Sequence, residues 1–168
     1  MQTPNRFLFF NPELCMGCHA CEIACKVEHN LTPGVNRARI LTEGPIMIKG
    51  KLELHFQRIS CLHCANPACL DACPTKAIHK RSDGIVCIEE VLCTGCRTCA
   101  AACPHNAIDF NPDKNVVEIC DLCANYLDTG QLPFCLKHCM GKALFFGTEK
   151  EFEQTKIAIN RDRKVYDD

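Results

Sequence analysis

Sixteen of the 17 cysteines in this chain stand in four groups of four. Cys15, Cys18, Cys21 and Cys25 follow the spacing C-x2-C-x2-C-x3-C; Cys93, Cys96, Cys99 and Cys103 repeat it, with Pro104 behind. Cys61, Cys64, Cys69 and Cys73 are spaced C-x2-C-x4-C-x3-C ahead of Pro74, and Cys120, Cys123, Cys135 and Cys139 are spaced C-x2-C-x11-C-x3-C. Three close thiolates and a more distant fourth, before a proline, is the spacing that ligates a [4Fe–4S] cube. Four groups predict four clusters, and with them a chain whose chemistry is the passage of single electrons.

Two other uses of cysteine are weaker. A disulfide framework needs an oxidising compartment and usually a signal peptide. Residues 1–11 have no basic region followed by a long apolar stretch, and no cleavage site. Zinc sites usually take two well-separated C-x2-C pairs, whereas a triplet plus a distant Cys suits four iron corners.

In two-cluster ferredoxins the fourth Cys of a group begins a helix pointing away from its own cluster and ligates the neighbouring one. That exchange assigns Cys61, Cys64, Cys69 and Cys103 to one cluster, and Cys93, Cys96, Cys99 and Cys73 to its neighbour. It assigns Cys15, Cys18, Cys21 and Cys139 to a third, and Cys120, Cys123, Cys135 and Cys25 to the fourth. Lys26 and Met140 stand where Pro follows the other two groups, so loop shape and hydrogen bonding to sulfur are expected to differ there. Cys87, left over in an apolar strand, reads as a buried structural thiol. His19, His63, His105 and His138 lie close to ligating positions and read as supporting or surface residues. Lys76, Lys80, Arg81, Arg97, Lys137 and Lys142 are near enough in sequence to offset cluster charge.

The elements that must hold these thiols repeat with them. An apolar pair after the second, third and fourth groups starts a short strand, over residues 77–79, 107–110 and 143–146. Strands over residues 6–10 and 84–89 lead in, and polar turns carry Asp83-Gly84 and Asn111-Pro112. Residues 57–112 form an inner two-cluster module. Residues 1–30 and 113–148 form an outer module around it. Between them, residues 31–56 read as an inserted hairpin, because Leu52, Leu54 and Phe56 alternate with polar residues. Its strands are expected over residues 38–42 and 51–58, with Gly44-Pro45 and Gly50 between them; it is either a spacer or a docking surface. Thr148 and Glu151 make a capping box for a helix ending near Asn160, with residues 161–168 as a tail. The fold class is α+β: two nested, pseudo-twofold bacterial-ferredoxin-like modules with an inserted β-hairpin and a C-terminal helix.

Composition agrees with a metal-built interior. The hydrophobic fraction is 47 %, but without Cys roughly 37 % remains, low for a globular chain. Clusters are then expected to supply folding free energy, leaving the apoprotein largely unfolded. The formal charge of −1 falls to about −9 once four clusters of net −2 are added, which argues against nucleic acid as a partner. No apolar run approaches the ~20 residues that span a bilayer, so the expectation is a soluble, cytoplasmic chain, periplasmic only if exported with a signal-bearing partner. No nucleophile–base pair, phosphate loop or dinucleotide fingerprint points to catalysis.

Phe10-Asn11-Pro12-Glu13-Leu14, leading into Cys15-Met16-Gly17-Cys18-His19-Ala20-Cys21-Glu22-Ile23-Ala24-Cys25-Lys26, resembles the four-cluster electron-transfer subunits of molybdenum and tungsten pterin oxidoreductases. Cys120-Asp121-Leu122-Cys123, the x11 gap after it and Ala143-Leu144-Phe145-Phe146-Gly147 are similar to the same family, and the likeness covers residues 6–148. It implies a larger pterin-bearing catalytic subunit near the cluster of Cys15, Cys18, Cys21 and Cys139. It implies a roughly linear order of clusters, with that of Cys93, Cys96, Cys99 and Cys73 farthest away. Some relatives replace the second Cys of the third group; this chain keeps Cys96, so four [4Fe–4S] clusters are expected. At the far end a second acceptor or donor is expected: another subunit, a soluble carrier or another copy of this chain. A free polyferredoxin and a maturation protein are the competing readings.

Overall fold

The computed structural model describes residues 6–164. Its eight strands form four antiparallel two-stranded ribbons: β1 (Phe7–Phe10) with β8 (Leu144–Gly147), β2 (Ala38–Ile48) with β3 (Lys51–Ser60), β4 (Ile78–Lys80) with β5 (Val86–Ile88), and β6 (Ile108–Asn111) with β7 (Val116–Ile119). Six helices fill the loops: α1 (Ala20–His29), α2 (Ala68–Asp71), α3 (Thr98–Ala102), α4 (Ala124–Asp128), α5 (Phe134–Lys137) and α6 (Glu149–Lys164). The chain is small and α+β, as its alternation of short strands and cysteine loops predicts.

Pairing of Phe7 with Gly147 and of Phe10 with Leu144 closes the start of the chain onto the end of the fourth cysteine group. That ribbon is capped by α6, whose Phe152 stacks on Phe9 with ring centroids 4.8 Å apart. The expected capping box forms: Thr148 N–H donates to Glu151 Oε2 at 2.8 Å, and Glu151 N–H donates to Thr148 Oγ1 at 3.3 Å. The helix runs on past Asn160 to Lys164, so part of the expected tail is helical; residues 165–168 lie outside the described residues.

The inserted hairpin is present, with a longer first strand than expected. Gly44-Pro45 does not end that strand, because Gly44 adopts φ +113 and absorbs the register shift between Glu43 and Ile46 as a bulge. Any side chain there would meet Glu53 O at 2.8 Å. Lys49 and Gly50 close the hairpin with φ of 48° and 80°, the positive pair that a two-residue turn requires. Only the base of the hairpin is packed. Ala38, Ile40 and Ser60 are buried, whereas Ile46, Met47, Leu52 and Leu54 near the tip are exposed.

The fourth ribbon adds β7, which had no counterpart in the expected elements. Asn111, buried at the end of β6, turns the chain into it by accepting from the Asp113 and Lys114 N–H groups. Through the middle of the molecule runs a core in which thiols take the place of aliphatic side chains. Cys69, Cys73 and Cys99 are buried with Ile78, Val86, Ile108, Val117 and Ile119; Cys21 and Cys135 with Ile40 and Leu144; and Cys120 with Ile85 and Leu122.

Candidate metal-cluster sites

The loops place thiols by repeating one backbone device. In the first group Gly17 and His19 flank Cys18 with φ of 65° and 57°; in the third, Gly95 and Arg97 flank Cys96 with φ of 69° and 61°. Two left-handed residues around the second Cys curl the loop so that successive sulfurs face one centre. Gly17 has a second reason to be glycine. A Cβ there would lie 2.3 Å from Phe56 Cε1, where the hairpin base presses on the loop.

A helix starts just before the third Cys of the first three groups, so α1, α2 and α3 carry Cys21, Cys69 and Cys99. The fourth Cys lies one turn on, within α1 for Cys25 and at or past the ends of α2 and α3 for Cys73 and Cys103, so it does not begin a helix as the spacing suggests. Pro74 and Pro104 follow Cys73 and Cys103, and α2 and α3 stop at Asp71 and Ala102. Lys26 offers no such stop after Cys25, and α1 continues to His29.

Cysteines from different groups then share cavities. One is lined by Cys15, Cys18, Cys21 and Cys139 with Met16, Ile40 and Leu144. A second is lined by Cys25, Cys120, Cys123 and Cys135 with His29, Arg37 and Arg58. A third is lined by Cys73, Cys93, Cys96 and Cys99 with Thr75, Arg97 and Val117. Cys61 and Cys103 pack against the core cluster that holds Cys69, and burial, then Cys103, raises the Cys69 thiol, with Cys64 adding to the rise.

Burial pushes eight of the sixteen thiols up, whereas hydrogen bonds hold Cys73 and Cys96 below their ordinary range. Cys61 and Cys135 are pushed up to about 12, and Cys99 and Cys123 to about 11, by desolvation first and neighbouring thiols after it, with Asp121 ahead of the thiols at Cys123. Cys25 rises further for the same reason, with Cys120, Cys135 and Cys123 adding to it. Thiols buried this closely suit a metal cluster, which displaces their protons and offsets the repulsion among the thiolates so formed. The donor set, four sulfurs per cavity and few oxygens, fits an iron–sulfur cube. Donors already aim at several sulfurs: Ala143 N–H at Cys139 (3.2 Å), His63 N–H at Cys61 (3.4 Å) and Thr98 Oγ1 at Cys96 (3.4 Å).

Of the histidines noted in the sequence, His63 is buried. Its Nδ1 accepts from Val86 N–H at 2.9 Å and so has no proton for Cys61 Sγ. His19 lines the first cavity and pairs with Glu22 at 3.1 Å; His138 Nδ1 contacts Phe134 O at 2.9 Å; His105 is exposed. Among the basic residues, Lys80 Nζ donates to Cys64 O at 2.7 Å and pins the second loop, and Arg97 lies 3.8 Å over the Phe110 ring. Arg81 pairs with Asp83 and Asp128. Cys87 is only half-buried, not enclosed as its apolar strand suggests, because it borders a polar cleft shared with His79, Arg81 and Asp121.

Three residues at the second cavity carry no signal in the sequence around them. His29, last in α1, brings Nε2 to 3.5 Å from Cys123 Sγ. Arg37 Nη1 contacts His29 Nδ1 at 3.0 Å, so Nδ1 accepts and Nε2 carries the proton that points at sulfur. Arg37 in turn is held by Glu118 at 2.9 Å and Asp121 at 3.2 Å. Arg58 Nη2 lies 4.0 Å from Cys135 Sγ.

Grouped thiols gathered at the centre of a small α+β chain define a protein built around cysteine-ligated metal clusters. The chain belongs to the 4Fe-4S dicluster family, whose domain matches residues 52–149, and a 4Fe-4S binding domain matches residues 8–28. It is 37 % identical over 159 residues to the B subunit of the anaerobic dimethyl sulfoxide reductase of Escherichia coli K12, covering 90 % of this chain and 78 % of that one. It is 38 % identical to the thiosulfate reductase electron transfer subunit of Salmonella typhi, over 89 % of this chain and 79 % of the other. With the B subunit of the polysulfide reductase of Wolinella succinogenes it shares 36 % over 92 % of this chain and 80 % of the other. By this kinship the chain is an iron–sulfur electron-transfer subunit and not the catalytic one.

Proposed function

We propose that this chain relays single electrons through four [4Fe–4S] clusters between a larger Mo- or W-pterin catalytic subunit and a second redox partner. The observation that carries the reading is the set of three cavities each lined by four thiols drawn from two groups, with Cys61, Cys69 and Cys103 packed in the core beside them. Cys15, Cys18, Cys21 and Cys139 hold the first cluster; Cys120, Cys123, Cys135 and Cys25 the second. Cys61, Cys64, Cys69 and Cys103 hold the third, and Cys93, Cys96, Cys99 and Cys73 the fourth. Residues 57–112 make up one two-cluster module, nested within an outer one formed by residues 1–30 and 113–148. Pairing of β1 with β8 supports that nesting. Each cluster, when bound, supplies a site that accepts and releases one electron. The protein's own contribution is to bury the thiolates, aim donors at sulfur and exclude water.

The catalytic subunit docks where the first cluster comes nearest the surface. There Met16 and Met140 are 60 % and 71 % exposed, and Ile23 and Val27 extend the apolar surface along α1. The second partner docks near Cys96, which is exposed beside Val91 and Leu92. That partner is another subunit, a soluble carrier or a second copy of this chain. Among the described residues no helix is long and apolar enough to cross a membrane.

Native purification tests this reading. Recovery of the chain with a pterin-containing subunit, dissociated neither by salt nor by dilution, is the expected result. Isolation as a lone monomer, with full activity of the accompanying enzyme in its absence, would support a free polyferredoxin instead.

A further inference from the structure

Arg58 lies near the end of β3, between the two outer sets of thiols. As a residue it is half-buried, but its guanidinium end is deep in the protein, and its Nε is shielded from water without a hydrogen-bond partner. Nη1 donates to Ser60 Oγ, and Nη2 points at Cys135 Sγ from 4.0 Å. Arg37, the other inward guanidinium, is balanced by Glu118 and Asp121. Arg58 has no carboxylate at ion-pair distance among the described residues. A guanidinium does not lose its proton in a protein, and a charge withdrawn from water is costly without an opposite one. The groups that can supply negative charge here are thiols. Cys120, Cys135, Cys21 and Cys25 all favour the charged guanidinium against its burial, and Arg58 opposes the upward push of burial on Cys21 and Cys135.

We propose that Arg58 is the fixed counter-charge of two clusters, those of Cys15/Cys18/Cys21/Cys139 and Cys25/Cys120/Cys123/Cys135, and holds their reduction potentials up. The inference rests on the assignment of these eight cysteines as ligands. Reduction adds one negative charge to a cluster, so a nearby cation stabilises the reduced form more than the oxidised one. The attraction falls with distance, so the two inner sites respond less. A neutral side chain of similar length removes the charge and keeps the packing.

The test is redox titration of the anaerobically purified, cluster-loaded chain by electron paramagnetic resonance, with iron analysis alongside. R58M is expected to lower two of the four midpoints by at least a tenfold change in the one-electron equilibrium, ~59 mV each. R58K is expected to stay near wild type, because it keeps the charge. If R58M loads iron poorly and R58K restores it, the charge requirement stands. Equal iron loss in both variants would overturn it. Full iron with unshifted midpoints in R58M would overturn the role of Arg58 and leave the four-site reading intact. A wild-type chain lacking the two outer clusters would overturn both.

Discussion

Replacing Glu118 with Gln should loosen the whole molecule. Glu118 is 0 % exposed, and its Oε2 accepts from both Nε and Nη2 of Arg37 at 2.9 Å. Oε1 accepts from Asn111 Nδ2 at 3.0 Å, with Lys114 Nζ at 3.6 Å. The pair spans 81 residues and ties the entry of the hairpin insert to β7. Gln removes the charge and, with its oxygen kept on Arg37, turns an amide against Asn111 Nδ2; Asp121 at 3.2 Å and Glu90 at 4.0 Å remain as carboxylates for Arg37. Breaking a buried ion pair costs 3–5 kcal/mol; because Asp121 stays, about 3 kcal/mol is expected. Cluster loss makes unfolding irreversible, so the cost is read as a rate: bleaching of cluster absorbance in denaturant under anaerobic conditions. If the contact forms after the transition state, about 3 kcal/mol speeds unfolding roughly a hundredfold. Asp128→Asn, which removes a partner from the exposed pair with Arg81, should change the rate little. An E118Q rate within about threefold of wild type would refute the ion-pair reasoning.

Cys73→Ser should damage the cluster of Cys93, Cys96 and Cys99 and spare that of Cys61, Cys64 and Cys69; Cys25→Ser should likewise strike the cluster of Cys120, Cys123 and Cys135. Iron analysis with resonance spectra checks this, and damage confined to a cysteine's own group would exclude ligand exchange. Thr148→Ala should fray α6 from its first turn, seen as faster amide exchange at Phe152, whose N–H donates to Thr148 O at 3.0 Å. Acid should do the same. Hydrogen bonds from Thr148 hold the Glu151 carboxyl below its ordinary range, so its support is present above the unfolded carboxylate pKa and lost as pH falls through the folded one. Unchanged Phe152 exchange on acidification would count against the cap. Gly95→Ala should disturb the third loop and reduce iron incorporation, since a Cβ would lie 2.6 Å from Asn115 O at a φ of 69°; full iron content would show that the loop tolerates the side chain.

The cysteine spacing names the thiols that line the three cavities, because the placement of three of the four in each is local: a few residues of loop and the first turn of a helix. The strands after the last three groups are legible for the same reason. What the sequence hides is long-range. Glu118 sits in Val116-Val117-Glu118-Ile119, where alternation suggests a solvent-facing polar residue, yet it is fully buried because Arg37 arrives from 81 positions away. Arg58 alternates on a strand whose outer half is exposed, and nothing beside it in sequence reveals that its head turns inward. Leu52 and Leu54 show the converse, an apolar alternation that the fold leaves uncovered. Gly44-Pro45 suggests a gap between strands because a bulge depends on Gly44 reaching φ +113 against the opposite strand.

Four clusters fix the iron and sulfide content of the chain. Iron and acid-labile sulfide, measured on the anaerobically purified full chain against its protein concentration, should each come to about sixteen per chain, four for every set of thiols. About eight of each, or zinc in stoichiometric amount, would contradict a four-cluster relay.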